Sequence, residues 1–172
     1  MSSKIAFEPH VLLTEKYSEA VLYASTLHRG QTRKGNDIAY VAHLLGVSAL
    51  VLEARGDEDQ AIAALLHDAA EDQGGQPTID VIEGKFGSRV SGIVKACSDS
   101  LAENPGEKAS WLVRKTEHIA KLAVAVDDVI IVAMADKVHN ARAIVSDLSI
   151  HGTKTWTKFN ASSEQILWYY TS

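Results

Sequence analysis

Cysteine occurs once in the 172 residues, proline three times, and no apolar stretch approaches the roughly 18 residues expected of a membrane-spanning helix. A single cysteine, Cys97, excludes an internal disulfide and suits a reducing compartment. It sits in an apolar-periodic run, which predicts a plain core position. The N-terminal MSSKIAFEPH lacks the hydrophobic centre of a signal peptide, so a cytoplasmic location is expected. Long basic blocks are missing too, and the formal net charge is −5. Affinity for backbone phosphates rests on clustered Lys and Arg, so DNA or RNA is set aside as the main partner. A small phosphorylated ligand needs only a local pocket of positive charge and stays open.

Strand-like alternation is almost absent as well, while helical periodicity runs through the chain. Tyr17, Val21, Ala24 and His28 trace one helix face within residues 9–28. The cationic loop RGQTRKGND follows. A second helix is predicted over residues 40–54, with His43 in its first turns and Val47, Leu50 and Val51 inward. Gly56 is expected to close it and Asp57 to cap the next. After QGGQP, Thr78 is expected to cap a helix with Ile79, Ile82 and Phe86 inward, stopped at Gly87. Ser88 then caps a helix with the stripe Val90, Ile93, Val94 and Cys97. Residues 101–108 read as the most loop-like and mobile part, and residues 111–123 as a helix. Residues 127–147 begin with VIIV, a composition a strand also tolerates, but the pattern continues unbroken through Met134, Ala135, Val138 and Ile144, so a helix is predicted. The length suits one domain. The expectation is an all-α single-domain helical bundle over residues 1–172, with a core at about 10–150 and a C-terminal helix at about 156–172 packing back.

The chemistry concentrates in AIAALLHDAAED, residues 61–72. Its apolar first half faces every direction, as in a helix buried inside a bundle. At a turn of 3.6 residues, His67 stands over Glu71 and Asp68 over Asp72. Unpaired carboxylates in an apolar interior cost several kcal/mol, so a bound cation is the simplest reading; a solvated acidic helix end is the bland one. Asp136, in MADKVHNAR, lies in another apolar helix with Asn140 a turn later and Arg142 behind it. His43 is a third inward polar residue. Two imidazoles and two carboxylates from three helices make a mixed N/O set suited to six-coordinate Mn²⁺, Fe²⁺ or Mg²⁺. Glu71 and Asp72 are then placed to orient a water or take its proton.

The order His43, His67-Asp68, Asp136 resembles the HD-domain metal phosphohydrolases. LLHDAAED, FGSRV and ADKVHNAR, together with GQTRKG, WLVRK and FNASSEQILWYY, are similar to the hydrolase domain of the RelA/SpoT alarmone enzymes, and most of all to the stand-alone small alarmone hydrolases. The likeness spans residues 23–170. It implies an all-α bundle that removes the 3′-pyrophosphate of (p)ppGpp, giving GDP or GTP, with Mn²⁺ as cofactor. It implies His43, His67, Asp68 and Asp136 as metal ligands and Glu71 and Asp72 as catalytic carboxylates. Arg33 and Lys34 match the loop that meets the nucleotide, and Asn140 and Arg142 match residues lining its pocket; Lys137 is added because a polyanionic substrate needs cations. The remaining Arg29, Arg114 and Lys115 read as solvated surface charges. With no room for synthetase or regulatory domains, the resemblance implies that the chain degrades alarmone and does not make it.

Two positions depart from the family pattern. Ala39 replaces the Pro before Tyr40, and His118 stands where a tyrosine is common, which puts base preference in question. Hydrolysis of (p)ppApp or NADPH, and a non-catalytic nucleotide-binding module, are the competing readings. His10, His139 and His151 receive no role, and His28 points toward the GQTRKG loop.

Overall fold

The computed structural model describes residues 9–99, 101 and 109–172. Its pillar is helix α3 (Glu58–Leu66), in which residues 61–66 are all 0% exposed. Alternating Ala with Ile and Leu lets neighbouring helices approach from every side. Helices α1 (Glu15–Leu27), α2 (Val41–Glu53), α6 (Ser88–Cys97) and α8 (Asp127–His151) pack around it. The start of α3 is fixed by a capping box: the Asp57 side chain accepts from Gln60 N–H, and Gln60 reaches back to the Asp57 N–H. Such caps contribute about 1 kcal/mol.

The helix predicted over residues 61–72 is broken at its chemistry. It stops at Leu66 and resumes as the short α4 (Ala69–Gln73). A continuing helix would bring the Asp68 N–H to the Ala64 carbonyl, but that carbonyl accepts from His67 Nδ1 at 2.8 Å. The Asp68 backbone tightens to ψ −5°. Asp72 still donates its N–H to the Asp68 carbonyl at 3.0 Å, so that pair keeps its one-turn spacing.

Several predicted boundaries shift. The left-handed residue ending α2 is Arg55, at φ 65°, not Gly56. Arg55 N–H donates to Leu52 O and Gly56 N–H to Val51 O, the pair of bonds that closes a helix around one left-handed residue. Gly56 is needed because a Cβ there would stand 2.5 Å from Val51 Cγ1. Arg55→Gly is therefore expected to stabilise the protein by about 0.5–1 kcal/mol, read as a rise in the midpoint of thermal unfolding. Helix α5 (Gly75–Phe86) begins three residues before Thr78, after a turn through Gly74 at φ 126° and Gly75 at φ 63°. Gly87 at φ 90°, rather than Ser88, is the residue from which α6 starts. Ile79, Ile82 and Phe86 face inward as expected, as do Val90, Ile93 and Val94.

Helix α7 (Trp111–Leu122) forms where predicted, and VIIV opens the helix α8. On α8 the apolar pattern misleads in part: Met134 and Val138 are exposed, while Ala135 and Asp136 are buried. The predicted C-terminal helix is two pieces, a 3₁₀ segment Gly152–Lys158 and α9 (Ser163–Thr171), separated by extended backbone at Phe159. Among the described residues no strand forms, and an isolated bridge pairs Thr32 with Ala39 across the cationic loop. The segment predicted to be mobile lies outside the described residues apart from Leu101, which packs on the core. No helix among the described residues is long and apolar enough to cross a membrane.

Candidate metal centre

Helices α2 and α8 and the break between α3 and α4 bring His43, Asp136, His67 and Asp68 together. His67 Nε2 stands 3.0 Å from Asp68 Oδ2 and 3.5 Å from Asp136 Oδ1. His43 Nε2 stands 3.6 Å and 3.3 Å from the same two atoms. Donor atoms of His43, His67 and Asp68 all lie within 4.8 Å of one another. Ligands about 2.1 Å from a shared centre stand about 3 Å apart when adjacent, so the spacing suits a divalent ion. The two Nε2 atoms are buried and lack a hydrogen-bond partner. The opposite ring nitrogens are occupied: His67 Nδ1 by the Ala64 carbonyl and His43 Nδ1 by His139 Nδ1 at 3.0 Å. With the His67 proton spent on a carbonyl, its Nε2 lone pair points into the cluster. A cation is what such a donor set fits.

The carboxylates are held from outside. Tyr40 donates its hydroxyl to Asp68 Oδ2 at 2.5 Å; Lys137 Nζ lies 2.6 Å from Asp136 Oδ2, and Asn140 donates to Asp136 Oδ1. Burial opposes charge at both aspartates, but Lys137 and the imidazoles hold Asp136, and His67 and His43 hold Asp68, well below the usual carboxylate range. Burial likewise opposes a charged His67, yet Asp68 and Asp136 raise it well above the usual imidazole value.

Above the cluster opens a cavity of about 510 Å³. Glu71 and Asp72 line it. Burial, then the neighbouring Asp99 and Asp68, push Glu71 up to about 7. Asp99 is its counterpart: despite burial, Lys115 and Arg114, both 2.7 Å away, bring it down to about 2. Asp72 accepts from Gln31 Nε2 at 2.8 Å. Gln31 Oε1 in turn lies 2.8 Å from His28 Nδ1, and the His28 ring stacks on Tyr40. His28 therefore braces the loop.

Of the predicted substrate residues, Arg33, Lys34, Lys137 and Asn140 line the cavity, and Arg33 donates to Asn140 Oδ1 at 2.7 Å. Arg142 is exposed and does not line it. The expectation for Arg114 and Lys115 is corrected. Arg114 and Lys115 are cavity residues rather than surface charges. Cys97 packs against the core, as expected, and also borders the cavity, its thiol pushed up to about 12 by burial. His118 is buried there and brought down to about 4 by burial and by Lys137 and Lys115, so it stands neutral. Lys158, Phe159, Asn160, Tyr169 and Tyr170 complete the far wall. The run FNASSEQILWYY held a signal for them in its aromatics, with Lys158 immediately before it.

The chain matches the HD-domain family over residues 20–164. It is 32% identical over 146 residues to guanosine-3′,5′-bis(diphosphate) 3′-pyrophosphohydrolase MESH1 of Drosophila melanogaster, covering 83% of this chain and 75% of that one. It is 32% identical over 137 residues to the bifunctional (p)ppGpp synthase/hydrolase SpoT of Escherichia coli, covering 77% of this chain and 18% of that one. This chain spans less than a fifth of the length of such long bacterial relatives, 17–18%. Among solved structures, a metazoan ortholog of SpoT that hydrolyses ppGpp superposes with a TM-score of 0.69 at 25% identity, covering 96% of this chain and 95% of that one.

Proposed function

The chain belongs to the HD-domain family, and from that premise we propose that it hydrolyses the 3′-pyrophosphate of (p)ppGpp, releasing pyrophosphate and GDP or GTP. The observation that carries the reading is the convergence of two unpartnered imidazole nitrogens and two carboxylates on a cavity walled by cations. Six Lys and Arg side chains line that cavity against six carboxylates, so a divalent ion tips it positive and suited to a polyanion. Its volume of about 510 Å³ falls in the range of nucleotide-sized pockets. The names and activities of MESH1 and of the SpoT ortholog support the substrate class.

His43, His67, Asp68 and Asp136 hold the ion, which we take as Mn²⁺, with Fe²⁺ and Mg²⁺ compatible with the same donors. When bound, it supplies Lewis-acid stabilisation of phosphoryl charge and lowers the pKa of water. Glu71, raised to about 7, takes the proton of the attacking water, and Asp72, steadied by Gln31, orients that water. Arg33, Lys34, Lys115 and Lys137 meet the phosphates. Tyr170 and Phe159, which line the cavity along with the neutral His118, offer ring faces to the base. The chain works as one hydrolase unit, and a lone cysteine fits a cytoplasmic site of action.

Arg33 contacts substrate rather than the reacting centre in this scheme. Arg33→Ala should therefore raise KM about tenfold with kcat little changed, measured by steady-state kinetics on ppGpp; an unchanged KM returns Arg33 to the surface-charge class. The reading as a whole is tested by offering ppGpp, ppApp and NADPH side by side to the Mn²⁺-loaded protein, with an EDTA control. Pyrophosphate released from ppGpp and abolished by EDTA is the expected result. Turnover of ppApp or NADPH alone would reassign the substrate, and no turnover of any would overturn the enzyme reading.

A further inference from the structure

His139 lies one turn after Asp136 on α8 and reaches back across α2. Its Nδ1 is 3.0 Å from His43 Nδ1, and the two rings meet edge-on with centroids 4.8 Å apart. When two neutral imidazoles face each other through Nδ1, one nitrogen donates and the other accepts. His43 Nε2 faces Asp68 and Asp136 without a hydrogen bond, and only a lone pair there can bind a cation. The His43 proton then belongs on Nδ1, aimed at His139. We infer that His139 is a positioning residue: its Nδ1 accepts the His43 Nδ1–H and fixes His43 in the tautomer that presents Nε2 to the metal. This rests on the metal reading above.

Gly46 is an independent sign that the chain is built around this contact. It sits mid-helix in α2, where glycine is among the poorest choices. A Cβ at Gly46 would stand 2.3 Å from His139 Nε2 and 2.4 Å from its Cδ2. Those atoms form the ring edge opposite the bond to His43. The missing side chain is what admits the imidazole, trading helix propensity for a ring held against the ligand. The two imidazoles of the cluster are thus oriented by different devices. His67 leans on a main-chain carbonyl. His43 leans on a side chain, which substitution can remove.

The test is a calorimetric titration of the full chain with Mn²⁺, comparing wild type, His139→Phe, His139→Asn and Gly46→Ala. Phe keeps the ring and loses the acceptor, and should weaken Mn²⁺ affinity by about 10–100-fold. Asn places Oδ1 near the position of Nδ1 and should recover most of that loss. Gly46→Ala should displace the ring and weaken affinity in the same direction as Phe. Thermal unfolding of each metal-free variant separates a failure to fold from a failure to bind. Wild-type affinity in His139→Phe overturns the inference, and so does an Asn variant as weak as Phe, which would reduce His139 to packing. A wild-type chain that takes up no Mn²⁺ overturns the metal reading, and this inference with it.

Discussion

Asp68→Ala is expected to abolish Mn²⁺ uptake and to lower turnover of ppGpp on the order of 10³-fold or more, the equivalent of several kcal/mol of transition-state stabilisation. Asp68 faces both imidazoles of the cluster, 3.0 Å from His67 and 3.6 Å from His43. Removing it leaves Asp136 as the carboxylate facing them, so no partial site of comparable charge remains. Mn²⁺ at a hundredfold excess over its dissociation constant should stabilise the wild-type chain by about 2.7 kcal/mol. The Asp68→Ala chain should show no such shift in its unfolding midpoint. His67→Ala should behave alike, since it removes one of the two imidazole nitrogens that face the carboxylates. Imidazole binds an ion only in its neutral form, and Asp68 and Asp136 raise His67 above the usual imidazole value. Uptake of the ion therefore releases a proton, and affinity should weaken as pH falls. Retention of Mn²⁺ in either variant would show the ligand assignment to be wrong.

The convergence of His43, His67, Asp68 and Asp136 was readable from sequence because each of them breaks a local rule. His67 and Asp68 end the most apolar helix, Asp136 interrupts another, and His43 occupies an inward helical position. Polar residues in such places need partners, and their types name the partner. The cavity wall was less readable, because a polar cavity inverts the rule that apolar residues face inward. On α7 Leu112 and Val113 are exposed, while His118 is buried and Arg114 and Lys115 face the cavity. The usual exposure of Lys and Arg assigned Arg114 and Lys115 to solvent, and nothing local contradicts it. Asp99 was missed for a related reason: its role depends on Arg114 and Lys115, fifteen and sixteen residues away. The break at His67 depends on a side-chain bond to Ala64 that propensity does not encode. Gly46 is silent in sequence, since only the packed position of His139 explains it. Arg142, placed by resemblance, lies two positions past Asn140 and off the face that lines the cavity.

Glu71→Gln separates the two jobs of the acidic end of this helix pair. It should keep Mn²⁺, because Glu71 belongs to the cavity wall and not to the cluster of converging donors. It should lower kcat by about 10²–10⁴-fold with KM little changed, the range of a lost general base. A base must be deprotonated to act, so wild-type turnover should rise with pH. Burial, Asp99 and Asp68 raise the metal-free carboxylate to about 7. A bound cation favours the ionised form, so the rising limb falls at or below that pH, and the Gln variant should lack it. Stability should move the opposite way. A carboxylate whose folded pKa is raised stabilises the fold fully only below its ordinary value of 4.5, and that contribution is lost as pH rises through about 7. At pH above 7 the metal-free wild type carries an ionised Glu71 beside Asp99, and the neutral glutamine does not. The metal-free Glu71→Gln chain should then unfold a few degrees higher than wild type under mildly alkaline conditions. Near pH 4, where Glu71 is protonated in both folded and unfolded chains, the difference should vanish. A strained carboxylate kept at a cost in stability is what a base in a cavity requires. A variant that loses turnover but gains no stability in alkali would leave Glu71 a ligand-orienting group with an ordinary carboxyl, and the base would have to be sought at Asp72.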